Sequence, residues 1–375
     1  MRQLTYIKKG KLEWWDVPEP KLQSPDDAIV RPIAASRCDG DCAYLHYPLP
    51  TILKSGSALH LFEPITKDFA KTPFAIGHEC VAEIVSLGEN VHGFSVGQKV
   101  IVPWSISCGH CENCQKGLTS KCSTMNKDRV LSAYGFGEVL GNFGGMVSDF
   151  LRVPFAENTL VATPINIAPS VLAPASDNIP DAWRTVGPML RKYPRAPVLI
   201  VGGGAQSIGL YAAGLAKAMG ASQVDYIDTS NTRLDIAQEL GANPVKIDKK
   251  EKWFKNGQPL RQEKPLITVD ASSYISGLNY AIRSLAPGGK CTSVCFYFKK
   301  GTPMPLFQMY LNSSTFHIGV SHPRAVLPEV LDLIEQGHFH PEKVTTLHAD
   351  WGDATEAYLA HTPKVVLSRK SERDM

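Results

Sequence analysis

Residues 198–214 read VLIVGGGAQSIGLYAAG, and no other stretch narrows the possible folds as far. Four contiguous apolar residues with no polar alternation make a strand that is buried on both faces, as in parallel sheets. Glycines end that strand, and a segment with helical spacing and small alanine and glycine residues follows. The alternation then repeats. QVDYID is a second strand, NTRLDIAQELGA a second helix with a glycine just past its end, and PLITVD a third strand. A helix through LNYAIRSLAPGG and a strand in KCTSVCFY continue it. Strands alternating with helices predict a doubly wound α/β fold, with a parallel sheet and right-handed crossovers, over about 179–320.

The chain before this region is built differently. AIVRPIAA, CVAEIVSLG, QKVIVPW and MVSDFLRVP are short β-like runs punctuated by glycine and proline, which predicts an antiparallel barrel or sandwich over residues 1–178. Residues 321–375 hold one clear helix, AVLPEVLDLIEQG, and mixed short elements that can return to the first domain. A length of 375 residues suits two domains. The net charge of +3 is too small to argue for nucleic acid or a membrane surface. The first 20 residues lack an apolar core of the secretory type, and no run approaches the length of a membrane span. The expected location is cytoplasmic.

Nine cysteines fall in clusters. With no export signal they are expected to be reduced, and clustered thiols then point to metal. CGHCENCQKGLTSKC places Cys108, Cys111, Cys114 and Cys122 in a C-x2-C-x2-C-x7-C pattern. Four thiolates on short loops suit tetrahedral zinc in a closed, structural site. An iron–sulfur cluster is the rival for this spacing, and the lack of a second cluster motif weighs against it.

The glycine turn has a chemistry of its own. A dinucleotide's pyrophosphate meets a helix N-terminus after such a strand. Gly202, Gly203, Gly204 and Gly209 are the glycines, and the candidate contacts are Gly202, Gly204, Gln206, Ser207, Ile208 and Gly209. If Gly209 closes a G-x-G-x-x-G pattern, Gln206 stands where a glycine is usual; alternatively Gly202 and Gly204 form the pair in a longer turn. Asp228 ends the second strand, 19 residues beyond Gly209. An aspartate there accepts hydrogen bonds from ribose hydroxyls and repels a 2′-phosphate, which favours NAD over NADP.

GHECVAEIVSLGENVHGFSVGQKVIV at 77–102, the cysteine quartet and the glycine turn with Asp228 together resemble the zinc-dependent medium-chain alcohol dehydrogenases, over nearly the whole chain. The resemblance implies a GroES-like, partly open β-barrel catalytic domain beside a Rossmann NAD-binding domain, with the active site in the cleft between them. It implies a catalytic zinc on Cys38, His78 and Asp177. Many relatives have a second cysteine at the third position, but an acid occurs in branches resembling glutathione-independent formaldehyde dehydrogenase. Glu79 is expected behind the metal ligands, and Asp41 is expected to orient His78. A three-ligand zinc keeps one position for a substrate oxygen, and the implied reaction is hydride transfer between an alcohol, or its aldehyde or ketone, and NAD. By the same resemblance Arg233 touches the adenosine phosphoribose. The backbone at Val294, Cys295 and Phe296, and at Ile318 to Val320, holds the nicotinamide amide. Family members are usually dimers or tetramers. Cys42, Cys80, Cys291 and Cys295 read as small buried hydrophobes.

The chain departs from the family at several points. Gly40 replaces the serine or threonine whose hydroxyl passes the alcohol proton outward, leaving Tyr44 and His46 as nearby candidates. Asp181 stands where a threonine near the nicotinamide is usual. Cys38 and His78 are 40 positions apart, and the extra stretch over 46–73 suggests either a loop over the substrate entrance or a surface insertion. These departures favour a larger or more polar alcohol or aldehyde than ethanol. The competing function is a zinc- and nucleotide-binding homologue that has lost catalysis and serves in redox sensing or structure. A zinc-free quinone reductase of the same fold would need neither the quartet nor His78.

Overall fold

In the computed structural model the described residues are 1–47, 72–248, 262–297 and 301–370. Most of the 46–73 stretch therefore lies outside the described residues. The chain forms two compact units.

The first comprises Met1–Pro180, Ser321–Leu331 and Thr345–Met375. Its strands are β1 (Arg2–Lys8), β2 (Lys11–Asp16), β3 (Ala28–Ser36), β4 (Phe74–Ala75), β5 (Glu79–Leu87), β6 (Lys99–Val102), β7 (Leu151–Val153) and β8 (Val161–Ala162), with β15 (Leu347–Asp350) and β16 (Val365–Ser368) from the end of the chain. A three-stranded sheet runs β2–β1–β4, and a larger sheet runs β15–β16–β3–β5–β6–β8, with β7 also on β3. The pairings around β3 and β5 are antiparallel. Leu4, Val30, Ala35, Cys80, Val102 and Leu367 lie in one buried core. The late strand β16 pairs with β3, so the chain's end completes the sheet that carries Ser36.

The second unit comprises Asp181–Val320 and Asp332–Val344. Its strands, β9 (Val198–Val201), β10 (Val224–Asp228), β11 (Asn243–Lys246), β12 (Ile267–Asp270), β13 (Lys290–Ser293) and β14 (Thr315–Ile318), lie in the order β11–β10–β9–β12–β13–β14, all parallel. This is the doubly wound Rossmann-type order, and the strand direction of travel switches between β9 and β12. All four residues of β9 are buried. The helix Asn231–Glu239 starts at Ser230, whose hydroxyl accepts from Arg233 N–H at 3.4 Å, and stops before Gly241 at φ +87°. The segment 332–344, expected with the return of the chain to the first unit, packs instead on the second. The cause is visible: Phe339 is buried edge-on against Tyr211 of the helix Gln206–Ala218.

Candidate active site and metal centres

Three elements of the first unit bring Cys38, His78 and Asp177 together. Cys38 follows β3, and Arg37 before it is buried, its guanidinium donating to the carbonyls of Tyr358, Ala360 and Thr362. His78 precedes β5. Gly77 has φ +94°, and a Cβ there would stand 2.7 Å from Val147 Cγ2, so only glycine gives this approach. Asp177 follows the short helical turn Ala173–Ser176. The Ser176 hydroxyl locks that turn to β5, accepting from Cys80 N–H and donating to Cys80 C=O, both at 2.9 Å.

The result is a compact set of donors. One ligand atom from each of Cys38, His78 and Asp177 lies within 4.8 Å of the others. Cys38 Sγ is 3.2 Å from Asp177 Oδ2, and His78 Nε2 is 3.6 Å from the same oxygen. The other oxygen of Asp177 accepts from Ser321 Oγ at 2.7 Å, and Ser321 Oγ accepts from Trp104 Nε1 at 2.8 Å. The His78 ring stacks on Phe136 at 4.8 Å. Burial, then the carboxylates of Asp177, Glu79 and Asp41, push the Cys38 thiol well above its ordinary pKa. A soft sulfur, an imidazole and a carboxylate converging on one point are a donor set that zinc accepts. The residues present therefore fit a bound zinc.

Asp41 behaves differently from the expectation. Its Oδ1 is 3.3 Å from His78 Nδ1, but that nitrogen makes no hydrogen bond. Oδ1 accepts the Tyr44 phenol instead, and Oδ2 accepts Cys38 N–H at 3.2 Å. The Asp41 carboxylate thus faces His78 without an aligned bond to it. Tyr44 is buried and committed to Asp41. His46 stacks on His361 at 4.1 Å, and burial with the nearby His361, Arg37 and Lys9 takes its pKa down to about 4.

Glu79 is fully buried and held from several sides. Oε2 accepts from Ser36 Oγ at 2.7 Å and Lys364 Nζ at 2.5 Å, and Oε1 accepts from Asn178 N–H at 2.9 Å. Lys364, also fully buried, donates further to Asn178 Oδ1 and Arg37 C=O. Sequence reasoning missed both Lys364 and Asn178. A lysine near the end of a chain reads as a surface cation, and nothing local signals its burial.

The four quartet sulfurs lie within 4.8 Å of one another. The N–H groups of Cys108 and Cys111 point at Cys122 Sγ and Cys108 Sγ, each at 3.4 Å. All nine cysteines are free thiols, and four converging sulfurs with backbone donors fit a tetrahedral ion. Cys80 and Cys291 are buried as expected, whereas Cys42 is only half-buried. Cys295 is buried but polar in use, its sulfur accepting from Ser273 N–H at 3.1 Å.

In the second unit the glycine turn leaves β9 at the switch point. A Cβ on Gly203 would stand 2.4 Å from the Ser272 carbonyl oxygen, so the main chains touch there. Gln206 opens the helix Gln206–Ala218, in which Ser207, Ile208 and Gly209 are buried. Its side-chain oxygen accepts from Arg233 at 3.0 Å. Asp228 is fully buried at the end of β10 and bound by Arg233 through two nitrogens, each at 2.7 Å. It also accepts from the N–H groups of Thr229 and Ser230. Val294, Cys295 and Phe296 follow β13, and Val320 follows β14. They share with the glycine turn the carboxyl ends of the parallel strands, where such sheets bind ligands. Asp181 faces its own helix, accepting from Arg184 Nε at 2.5 Å. Among the described residues no helix is long and apolar enough to cross a membrane.

The profile described as "Alcohol dehydrogenase GroES-like domain" matches residues 24–164, and "Zinc-binding dehydrogenase" matches residues 207–336. The glutathione-independent formaldehyde dehydrogenase of Pseudomonas aeruginosa is 30% identical over 66% of this chain, a match that spans 59% of that protein. A zinc-type alcohol dehydrogenase B of Aspergillus flavus is 25% identical over 96% of this chain and 78% of its own length. Among solved structures, an alcohol dehydrogenase from Thermus sp. ATN1 superposes with a TM-score of 0.82 at 27% identity, covering 99% of this chain and 100% of that one. The two profiles together account for most of the chain, and the chain belongs to the zinc-dependent medium-chain dehydrogenase family.

Proposed function

We propose that this protein is a zinc-dependent alcohol dehydrogenase that transfers hydride between an alcohol, or the corresponding aldehyde or ketone, and NAD. The observation that carries this reading is the convergence of Cys38, His78 and Asp177 within 4.8 Å. These three residues hold a catalytic zinc, and Cys108, Cys111, Cys114 and Cys122 hold a structural one. When bound, zinc supplies the Lewis acidity that eases deprotonation of an alcohol, and nicotinamide carries the hydride.

The chain's own residues do the positioning. Ser321 holds one oxygen of Asp177 so that the other faces Cys38 and His78. Phe136 fixes the plane of His78. Ser36, Lys364 and Asn178 hold Glu79 in place. Gly40 offers no hydroxyl and Tyr44 is spent on Asp41, so the proton leaves through water. Asp228 and Arg233 read the adenosine ribose, the glycine turn through Gly209 takes the pyrophosphate, and Val294 to Phe296 with Val320 hold the nicotinamide. The relative that acts on formaldehyde supports including small aldehydes among the substrates tested.

The protein works as a homodimer or homotetramer in the cytoplasm, on a small-molecule substrate. An exposed apolar face on the helix Leu306–Asn312 supports the oligomer. The deciding experiment pairs metal analysis with NADH absorbance on an alcohol and aldehyde panel. Two zincs per chain, one of them lost in Cys38→Ser together with turnover, are expected. A single zinc with no turnover on any member of the panel overturns the reading.

A further inference from the structure

The sulfur of Cys38 is not simply buried; it is approached by two N–H donors. Gly40 N–H lies 3.2 Å from Sγ, and Asn178 Nδ2 lies 3.0 Å from it. The same Asn178 nitrogen is 3.2 Å from Asp177 Oδ2. An amide can usually be turned end for end without a visible difference, but here the surroundings decide. Asn178 Oδ1 is 2.7 Å from Lys364 Nζ, and an ammonium can only donate. The oxygen must therefore face the lysine, and the NH2 group must face the sulfur. The main chain is pinned as well, since Asn178 N–H is bonded to Glu79 Oε1. Asn178 and Lys364 are both fully buried, so water does not compete for these contacts.

We propose that Asn178 is a positioning residue for the catalytic metal, which orients the Cys38 thiolate and draws charge from it, with Lys364 setting its direction. The proposal rests on the reading that Cys38, His78 and Asp177 hold zinc. Hydrogen bonds to a ligating sulfur lower its donation to the metal, and so leave the metal a stronger Lewis acid with the same three ligands. The lysine polarises the amide through its carbonyl oxygen, so the N–H that meets the sulfur is a stronger donor than an isolated amide. The side chain follows Asp177 directly, so one short segment supplies both a ligand and the group that adjusts another ligand.

The test uses cobalt(II) exchanged into the full-length protein. The sulfur-to-cobalt charge-transfer absorption that disappears in Cys38→Ser is assigned to the triad. In Asn178→Leu and Asn178→Asp, neither of which can donate to the sulfur, that absorption moves to longer wavelength, because an unbonded thiolate gives up charge more easily. Metal affinity at the same site falls about tenfold or more. The aspartate variant keeps the shape and a partner for Lys364, so it reports even where the leucine variant does not fold. An unshifted absorption in a variant that binds both cobalt equivalents overturns this proposal and leaves the zinc reading standing. A wild-type protein that takes up one equivalent, with nothing lost in Cys38→Ser, overturns both.

Discussion

Arg233 lies against Asp228 with two nitrogens engaged, so the carboxylate charge is partly offset before any ligand arrives. On the proposed assignment this pair decides the choice between NAD and NADP. A bare carboxylate excludes a 2′-phosphate more strongly than a paired one, and it offers both lone-pair faces to a ribose. Arg233→Ala therefore raises the ratio of kcat/KM for NAD over NADP, and Asp228→Ala lowers it. A hydrogen bond to a charged group is worth roughly 1.5–3 kcal/mol, so the Asp228→Ala change is about tenfold or more. Steady-state kinetics with both cofactors check this, and a ratio that neither substitution moves removes the ribose role. The motif made Asp228 findable, because it ends a strand at a fixed distance from a glycine turn. It did not predict the guanidinium fork, which needs a side chain five residues on to fold back over the strand end.

The elements that carry local periodicity were legible, and the side-chain contacts between distant segments were not. Four apolar residues in VLIV, the alternation of strands and helices after it, and four closely spaced cysteines are all local patterns, and the parallel sheet and the convergent sulfurs follow them. The helix Asn178–Lys192 was not foreseen, since two prolines and a glycine interrupt its apolar spacing. Nor was the link between the end of the chain and β5, which joins Lys364 to Glu79 across 285 residues of sequence. That link is the element-scale support of the candidate site, because β16 pairs with β3 and delivers the lysine next to Glu79. A fully buried carboxylate that loses its ammonium partner keeps its desolvation cost without compensation. Lys364→Met is accordingly expected to lower stability by about 3–5 kcal/mol, measured by chemical denaturation. A loss no larger than that of a surface lysine would show that Glu79 is held adequately by Ser36 and the Asn178 N–H.

Beyond single elements, the second unit exposes several large apolar residues and an open strand edge. Leu306, Phe307, Tyr310 and Leu311 on one short helix are 66–80% exposed, and Ile318 on β14 and Phe296 after β13 are more than half exposed. Among the described residues β14 is the last strand of its sheet, with one side of its backbone unpaired by the chain itself. Isolated apolar residues on a surface are ordinary, but several on one short helix, or an open strand edge, mark an interface or an aggregation site. A second copy of the chain is the proposed occupant. A twofold axis would place the same helix and the same edge on both sides, which lets one patch cover itself. Light scattering of the purified protein should then give at least twice the mass of one chain. Phe307→Asp combined with Leu311→Asp places two charges in the centre of that patch, where burying an unpaired carboxylate is strongly unfavourable. The double variant is expected at the mass of one chain, with the parallel sheet intact by circular dichroism. A variant that keeps the wild-type mass would put the interface elsewhere on the molecule.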